Sequence, residues 1–466
     1  MSSFACTLLA ALVAFVPTLP AQERSEQDTD AFVRERFEAI GAPGMSVAVV
    51  RGGQVVFAKG YGSADLENDV AMTPEHVFRI GSVTKPFTAT MVMQLVNEGK
   101  LRLDQPVREV LPELPEGWAA VTVRQLLDHT SGIKSCTGLP NFGELSRRPV
   151  TPAGIVATVQ DEPFDFEPGT GWAYNNTGYV ILGMLVEKVD GRSFAESLRE
   201  RVTRPLGMDQ TFFVSEADIV SKRARGYSLR DGATSHAEYL DMGWPFSAGA
   251  MESTVLDLAK WDAALYGDKL LPQDTLEAMW SRTRLPNGDE RGYGLGWALA
   301  EANGARIVQH SGGIPGFLSV VRRAPEKRLT VIVLVNSDSV PPEGLAEGLM
   351  GFIDPSLAPP VPVAEIDTDP EATARDRQMF VELLDDRLDD AAFMEEAAKV
   401  ITSERRRETA AQFRRLGELG AFEFLSARSA PGATVREYRV TLGKTRLKVT
   451  VAREPGGRIA GLKFGA

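Results

Sequence analysis

Ser82-Val83-Thr84-Lys85 sets a hydroxyl and an amine one helical turn apart, at the head of a helix that this chain has to bury. Phe87, Met91 and Leu95 recur at i, i+4 and i+8, with Val92 and Val96 beside them, which predicts a core α-helix. Residues three apart share a helix face, so the Ser82 hydroxyl and the Lys85 amine point the same way. Pro86 fits only near a helix start, which puts Ser82 in the first turn. Backbone N–H groups and the positive end of the dipole favour a developing anion there. A serine is a weak nucleophile until a neighbour takes its proton, and a lysine does so once its surroundings lower its pKa.

The motif by itself is weak, because a chain of this length holds about one or two S-x-x-K matches by chance. A second copy, Ser131-Gly132-Ile133-Lys134, lies between Leu126–Thr130 and a run with Cys136, Gly138 and Pro140 that cannot continue as a helix. Two further short motifs follow Ser82 in order. Tyr174-Asn175-Asn176 is the only Y-x-N, and it comes after the turn signal Phe166-Glu167-Pro168-Gly169-Thr170. His310-Ser311-Gly312-Gly313 is the only H-x-G, and it ends the apolar stretch Ile307-Val308-Gln309. After it, Phe317–Val321 and Leu329–Val335 read as a hairpin joined at Pro325-Glu326-Lys327.

With these three motifs in this order, the chain resembles the superfamily of serine β-lactamases and penicillin-binding peptidases. It is most similar to the branch with class C β-lactamases, D-amino-acid peptidases and β-lactamase-like esterases, and the resemblance spans roughly residues 30 to 350. Gly44–Val49, Leu126–Gly132 and Ser247-Ala248-Gly249-Ala250-Met251 belong to it as well. It implies an α+β (α/β) fold in which an antiparallel sheet is flanked by helices and joined to a helical subdomain. It also implies roles. Ser82 would be the acylated nucleophile, Lys85 its deprotonating partner and Tyr174 the second general acid/base. Asn176 would hydrogen-bond the Lys85 amine or the substrate amide. His310 and Gly312 would support substrate, and the backbone N–H groups of Ser82 and Gly313 would form the oxyanion hole. No metal and no organic cofactor is implied.

His310 stands where many relatives of this kind carry lysine. An imidazole with its ordinary pKa of about 6.5 is mostly neutral at pH 7. A site without a fixed cation binds carboxylated β-lactams less tightly, which tilts the expectation toward esters or D-amino-acid amides. Arg322 or Arg323 on the neighbouring strand could restore that charge. A DD-carboxypeptidase, a D-aminopeptidase, a β-lactamase and a non-catalytic binding protein use the same residues and remain alternatives.

The 466 residues suffice for one large core and a smaller unit, and the net charge of −12 argues against nucleic acid or an anionic membrane as partner. The expected partner is a small-molecule or peptide acyl substrate. Four histidines and two cysteines at scattered positions offer no metal-ligand spacing, so His76, His129 and His236 read as structural or solvated. Phe4–Val16 is apolar, too short to span a bilayer and followed by Pro17 and Pro20, so residues 1–21 read as an export signal. Its weak point is Met1-Ser2-Ser3, which lacks a basic side chain. Cys6 would leave with it, and the mature protein, with no membrane span, would be periplasmic or secreted with Cys136 as its one thiol.

Residues 25–353 read as the hydrolase: a helix over 25–40 broken at Pro43-Gly44, strands at both ends, and a mainly helical middle over 74–280. Residues 135–165 show few periodic apolar positions and are expected to border the pocket. Residues 354–370 form a proline-rich linker. Beyond it, 371–417 are helical in composition, and 421–427, 435–442, 446–452 and 459–464 alternate like strands. This predicts an accessory α+β domain over 371–466, by fold analogy cystatin-like or NTF2-like, with no catalytic motif and an unknown partner.

Overall fold

The computed structural model describes residues 24–214, 217–230, 233–339, 341–359, 364–443 and 445–465. The export signal expected over 1–21, with Cys6, lies outside the described residues, as do 360–363 of the linker. No helix among the described residues is long and apolar enough to cross a membrane.

Helix α1 (Glu26–Ile40) starts where the Ser25 hydroxyl accepts the Asp28 N–H and stops at Gly41 in the left-handed region. Strands β1 (Gly44–Arg51), β2 (Gln54–Asp65) and β3 (Val70–Ala71) follow, and β4 (Ala298–Ala302), β5 (Ala305–Ile314), β6 (Phe317–Ala324) and β7 (Leu329–Val335) come late in the chain. Together they form one seven-stranded sheet in the order β4-β5-β6-β7-β1-β2-β3, antiparallel throughout. Met45 pairs with Val335 and Arg51 with Leu329, which joins the two ends of the hydrolase at the sheet centre.

A central strand covered on both faces needs an apolar run, and β1 has one broken only at Ser46, whose hydroxyl donates to the Thr73 carbonyl at 2.9 Å. Met45, Val47 and Val49 enter the core that packs under α1 and the helix α4 (Glu343–Ile353). Ala48 and Val50 enter the larger core on the helical side. Within that core α2 (Thr84–Asn97) is buried along most of its length and packs against α3 (Asn176–Asp190). The middle of the chain is helical as expected. It also carries a three-stranded sheet of Phe78–Arg79, Phe212–Phe213 and Met251–Ser253, pieces too short to show a period in sequence.

Past the linker, α5 (Pro370–Leu384) and α6 (Ser403–Leu416) pack on a four-stranded antiparallel sheet. Its strands are β8 (Leu419–Ala430), β9 (Ala433–Leu442), β10 (Thr445–Arg453) and β11 (Ile459–Gly465). Phe380, Tyr438, Val440, Val449 and Ile459 centre a core of its own.

Candidate active site

The chain reaches Ser82 from the short strand Phe78–Arg79, whose end is tied by Ile80 N–H to the Met251 carbonyl at 3.0 Å. Gly81 is left-handed, and residues 81–83 form one tight turn before α2 begins at Thr84. Ser82 thus sits just ahead of the α-helix rather than inside its first turn. The Ser247–Met251 stretch braces this junction: Thr88 donates to the Ser247 carbonyl at 2.7 Å, and Met251 N–H donates to Thr84 at 3.2 Å.

Lys85 is fully buried, and its Nζ lies 3.1 Å from Ser82 Oγ, 2.8 Å from Asn176 Oδ1 and 2.8 Å from the Ala248 carbonyl. An ammonium has three protons for these three acceptors. A neutral amine fits equally well, giving two protons to Asn176 and Ala248 while its lone pair accepts the Ser82 hydroxyl proton. Burial favours the neutral amine, pushing the Lys85 pKa well down, with Cys136 acting in the opposite sense. The result is a buried amine within hydrogen-bond reach of a serine hydroxyl.

Tyr174 stands beside this pair, with Lys85 Nζ 4.7 Å from its ring centre. More than a third of the residue is open to the pocket, 38%, yet desolvation around the hydroxyl raises its pKa, with a Ser82 hydrogen bond pulling the other way. The ring's exposure discounts that rise but not its direction. Asn175, the middle residue of the motif, caps α3 by accepting Gly178 N–H at 2.7 Å and donates to the Ile133 carbonyl. Asn176 is oriented from behind. Its amide Nδ2 donates to Thr137 at 3.1 Å and its backbone N–H to Ser135 at 3.2 Å, which leaves Oδ1 for Lys85.

His310 lies on β5 and is buried. Its Nδ1 is 2.7 Å from the Ser311 carbonyl, which can only accept, so Nδ1 carries the proton. Its Nε2 then accepts the Tyr293 hydroxyl at 2.9 Å. Burial and the nearby Lys85 lower the His310 pKa to about 3, so the imidazole is neutral. Two residues on, Gly312 is the point where β5 touches the Ser82 turn. A Cβ there would come within 2.0 Å of the Ile80 carbonyl and 2.9 Å of Ser82 N, so only glycine permits the approach. Ser82, Gly313, His310 and Tyr174 line one cavity of about 460 Å³.

The structure therefore brings together Ser82, Lys85, Tyr174, Asn176, His310, Gly312 and Gly313. It separates the second S-x-x-K copy, in which Lys134 pairs with Asp165 at 2.7 Å and Ser131 is buried. Two expectations need correction. Arg322 and Arg323 do not line the cavity: Arg323 is sealed in the core against Asp262, while Arg322 reaches Gln309 and Glu347. Adjacent residues of a central strand point to opposite faces, and neither face is the pocket. Nor does 135–165 line the cavity; Ser135 and Thr137 lie behind Asn176 instead.

Sequence reading missed Trp172, Arg291, Gly292, Tyr293 and Ala298, which complete the wall, and the Ala248 carbonyl. His129 is structural, one of the two readings expected for it. It is buried with its Nδ1 accepting Asn175 N–H at 3.1 Å, and its ring centre is 4.5 Å from that of Tyr174. One signal was present: Gly292, Gly294 and Gly296 alternate around Tyr293, and a Cβ on Gly294 or Gly296 would lie 2.1 Å from the Met279 carbonyl or 2.5 Å from Ala89 Cβ. Alternating glycines in a strand-like run mark close backbone approach.

Residues 29–350 match the family described as Beta-lactamase. A penicillin-binding protein of Bacillus subtilis is 30% identical over 333 residues, which span 67% of this chain and 73% of that protein. D-amino acid amidase from Ochrobactrum anthropi, solved with D-phenylalanine, superposes with a TM-score of 0.59 at 30% identity, covering 66% of this chain and 92% of that one. An octameric penicillin-binding protein homologue from Pyrococcus abyssi, 24% identical, shares the fold over 92% of this chain and 96% of its own, with a TM-score of 0.66. With the family matched over most of its length, this chain belongs to the β-lactamase family and is a serine hydrolase of the β-lactamase and penicillin-binding protein kind.

Proposed function

We propose that the protein hydrolyses an ester or a D-amino-acid amide through an acyl-enzyme on Ser82. The carrying observation is the buried Lys85 amine, depressed in pKa and 3.1 Å from Ser82 Oγ. Lys85 takes the Ser82 proton as the oxygen attacks the acyl carbon, and the backbone N–H groups of Ser82 and Gly313 receive the oxyanion. Tyr174 delivers a proton to the leaving group and helps to activate the water that releases the acyl group. Asn176 holds Lys85 in line. His310, neutral in the cavity wall, leaves the third motif without a cation, and the amidase neighbour supports a D-amide.

We assign residues 1–21 to export and 371–466 to an accessory domain without catalytic residues. The protein then works outside the cytoplasm, periplasmic or secreted.

The test is intact mass after exposure to a fluorophosphonate, with Ser82→Ala in parallel. Stoichiometric labelling of the wild type alone supports the reading, and a panel of esters, D-amides, D-alanyl-D-alanine peptides and nitrocefin then ranks the acyl donors. An unlabelled, folded wild type would overturn it in favour of a binding protein.

A further inference from the structure

The short helix Val123–Leu127 runs into a turn in which His129 is left-handed, at φ 65°. Asp128 closes this turn: one carboxylate oxygen accepts the Thr130 hydroxyl at 2.6 Å and the Thr130 N–H at 3.2 Å. Few side chains occupy that region of backbone, although histidine enters it more readily than most. What the turn gains is alignment with the segment that carries Tyr174. The Thr130 carbonyl accepts Gly169 N–H at 2.7 Å, and the His129 carbonyl accepts Ala173 N–H at 3.1 Å. The imidazole completes the grip, because its Nδ1 accepts Asn175 N–H at 3.1 Å. One residue thus holds the backbone on both sides of Tyr174.

The His129 ring also backs the cavity wall, its centre 4.5 Å from that of Tyr174 and 4.6 Å from that of Tyr293. An amide N–H can only donate, so Nδ1 is bare and Nε2 carries the proton of a neutral ring. Burial, Lys85 and His310 all disfavour the imidazolium that would break the contact with Asn175. Nε2 is buried and has no hydrogen-bond partner among the described residues. An apolar side chain would fill the space without that cost, but it would orphan Asn175 N–H. Tyr174 needs a hold from behind, because the residue itself is more than a third open to the cavity.

We propose that His129 is a positioning residue for Tyr174, its carbonyl and Nδ1 clamping Ala173 and Asn175 so that the phenol meets the leaving group. The proposal rests on the acid/base reading of Tyr174 and names what keeps that group in place. Lys85 stands on α2, and Asn176 is held separately by Ser135 and Thr137, so the nucleophile keeps its base without His129. A displaced phenol therefore slows leaving groups that need a proton and spares those that depart as stable anions.

The experiment measures kcat/KM of wild type, His129→Asn, His129→Gln and Tyr174→Phe on p-nitrophenyl and ethyl esters of D-phenylalanine and of butyrate. Nitrophenolate leaves as the anion, whereas ethanol must gain a proton as it departs. Asparagine puts an amide oxygen where Nδ1 stood and accepts the left-handed backbone. Glutamine carries its amide one carbon further, away from Asn175 N–H. In His129→Gln the ethyl ester should lose roughly 100-fold and the p-nitrophenyl ester less than about 5-fold. His129→Asn should recover at least roughly 10-fold of that loss. Equal losses on both esters, which lost packing alone would give, or a His129→Asn no better than His129→Gln, would overturn the proposal. Should His129→Gln not fold, His129→Asn must keep the ratio of the two esters within roughly 10-fold of wild type, and a larger change overturns it. Tyr174→Phe separates the failures. A split between the esters there but not in His129→Gln refutes His129 alone, whereas no split in Tyr174→Phe refutes the Tyr174 reading and His129 with it. A wild type that cleaves none of these esters refutes both as well.

Discussion

The Tyr293 hydroxyl and His310 Nε2 meet at 2.9 Å in a buried contact that fixes His310 as a neutral, Nδ1-protonated imidazole. With a pKa of about 3, His310 does not change charge at working pH. With Lys85 as the proposed base, which must be neutral to act, an acid limb in the rate is expected to follow Lys85. We expect kcat/KM to rise with pH through the depressed Lys85 pKa, and His310→Gln to move that midpoint by less than about half a unit. A pH–rate profile of both proteins checks this; a limb that vanishes in His310→Gln would refute it.

The buried amine also couples stability to pH. The Lys85 pKa in the folded state lies well below 10.5, so between those values the unfolded chain holds a proton that the folded one lacks. The destabilisation is full below the folded pKa and fades as pH rises toward 10.5. Stability should climb by up to about 1.4 kcal/mol per pH unit in that window from this group. Urea midpoints of wild type and Lys85→Met across it should show the slope lost in the variant, while acylation falls roughly 100- to 10,000-fold.

Two adjacent glycines separate packing from chemistry. In Gly312→Ala the new Cβ would collide with the Ile80 carbonyl and Ser82 N, both backbone atoms, so the strand must withdraw from the nucleophile. Expected are a loss of about 1–3 kcal/mol and a fall in acylation of roughly 100-fold. In Gly313→Ala the nearest atom is the flexible Leu318 Cδ2 at 3.2 Å, and near-wild-type stability is expected. Denaturation curves and labelling rates read both effects; equal behaviour of the two variants would contradict the geometry.

Arg323 and Asp262 form an ion pair at 2.5 Å with neither side chain reaching solvent, and Thr330 donates to the same carboxylate oxygen at 2.7 Å. Asp262→Asn should cost about 3–5 kcal/mol, because a lone guanidinium would remain among Trp280, Trp297 and Tyr266. Replacing Asp262 and Arg323 together by leucine and methionine should recover much of that loss. A double substitution no better than the single one, by chemical denaturation, would show that the pair is not what matters.

Much of the site was legible because its key groups come in fixed local spacings. Ser82 and Lys85 share a turn, and Tyr174 and Asn176 flank the residue that caps α3. Strands β1, β6 and β7 and the four strands of the C-terminal sheet announce themselves by apolar or alternating runs. What escaped reading is what tertiary contact alone creates. The Ala248 carbonyl has no side chain to announce it, and Tyr293 gains meaning only when its hydroxyl meets His310 on β5. Arg322 and Arg323 misled because composition shows a charge near the third motif but not the face that a central strand turns it to.

The Ser319 hydroxyl donates to the Ile80 carbonyl at 2.7 Å across 239 residues of chain, beside the contact of Gly312 with the Ser82 turn. A ribosome releases Ser82 and its helix early and β5 late. Until β5, β6 and β7 emerge and β7 zips onto β1, the nucleophile has no partner strand and no wall. The candidate site is therefore whole only once the two ends of the hydrolase close into one sheet.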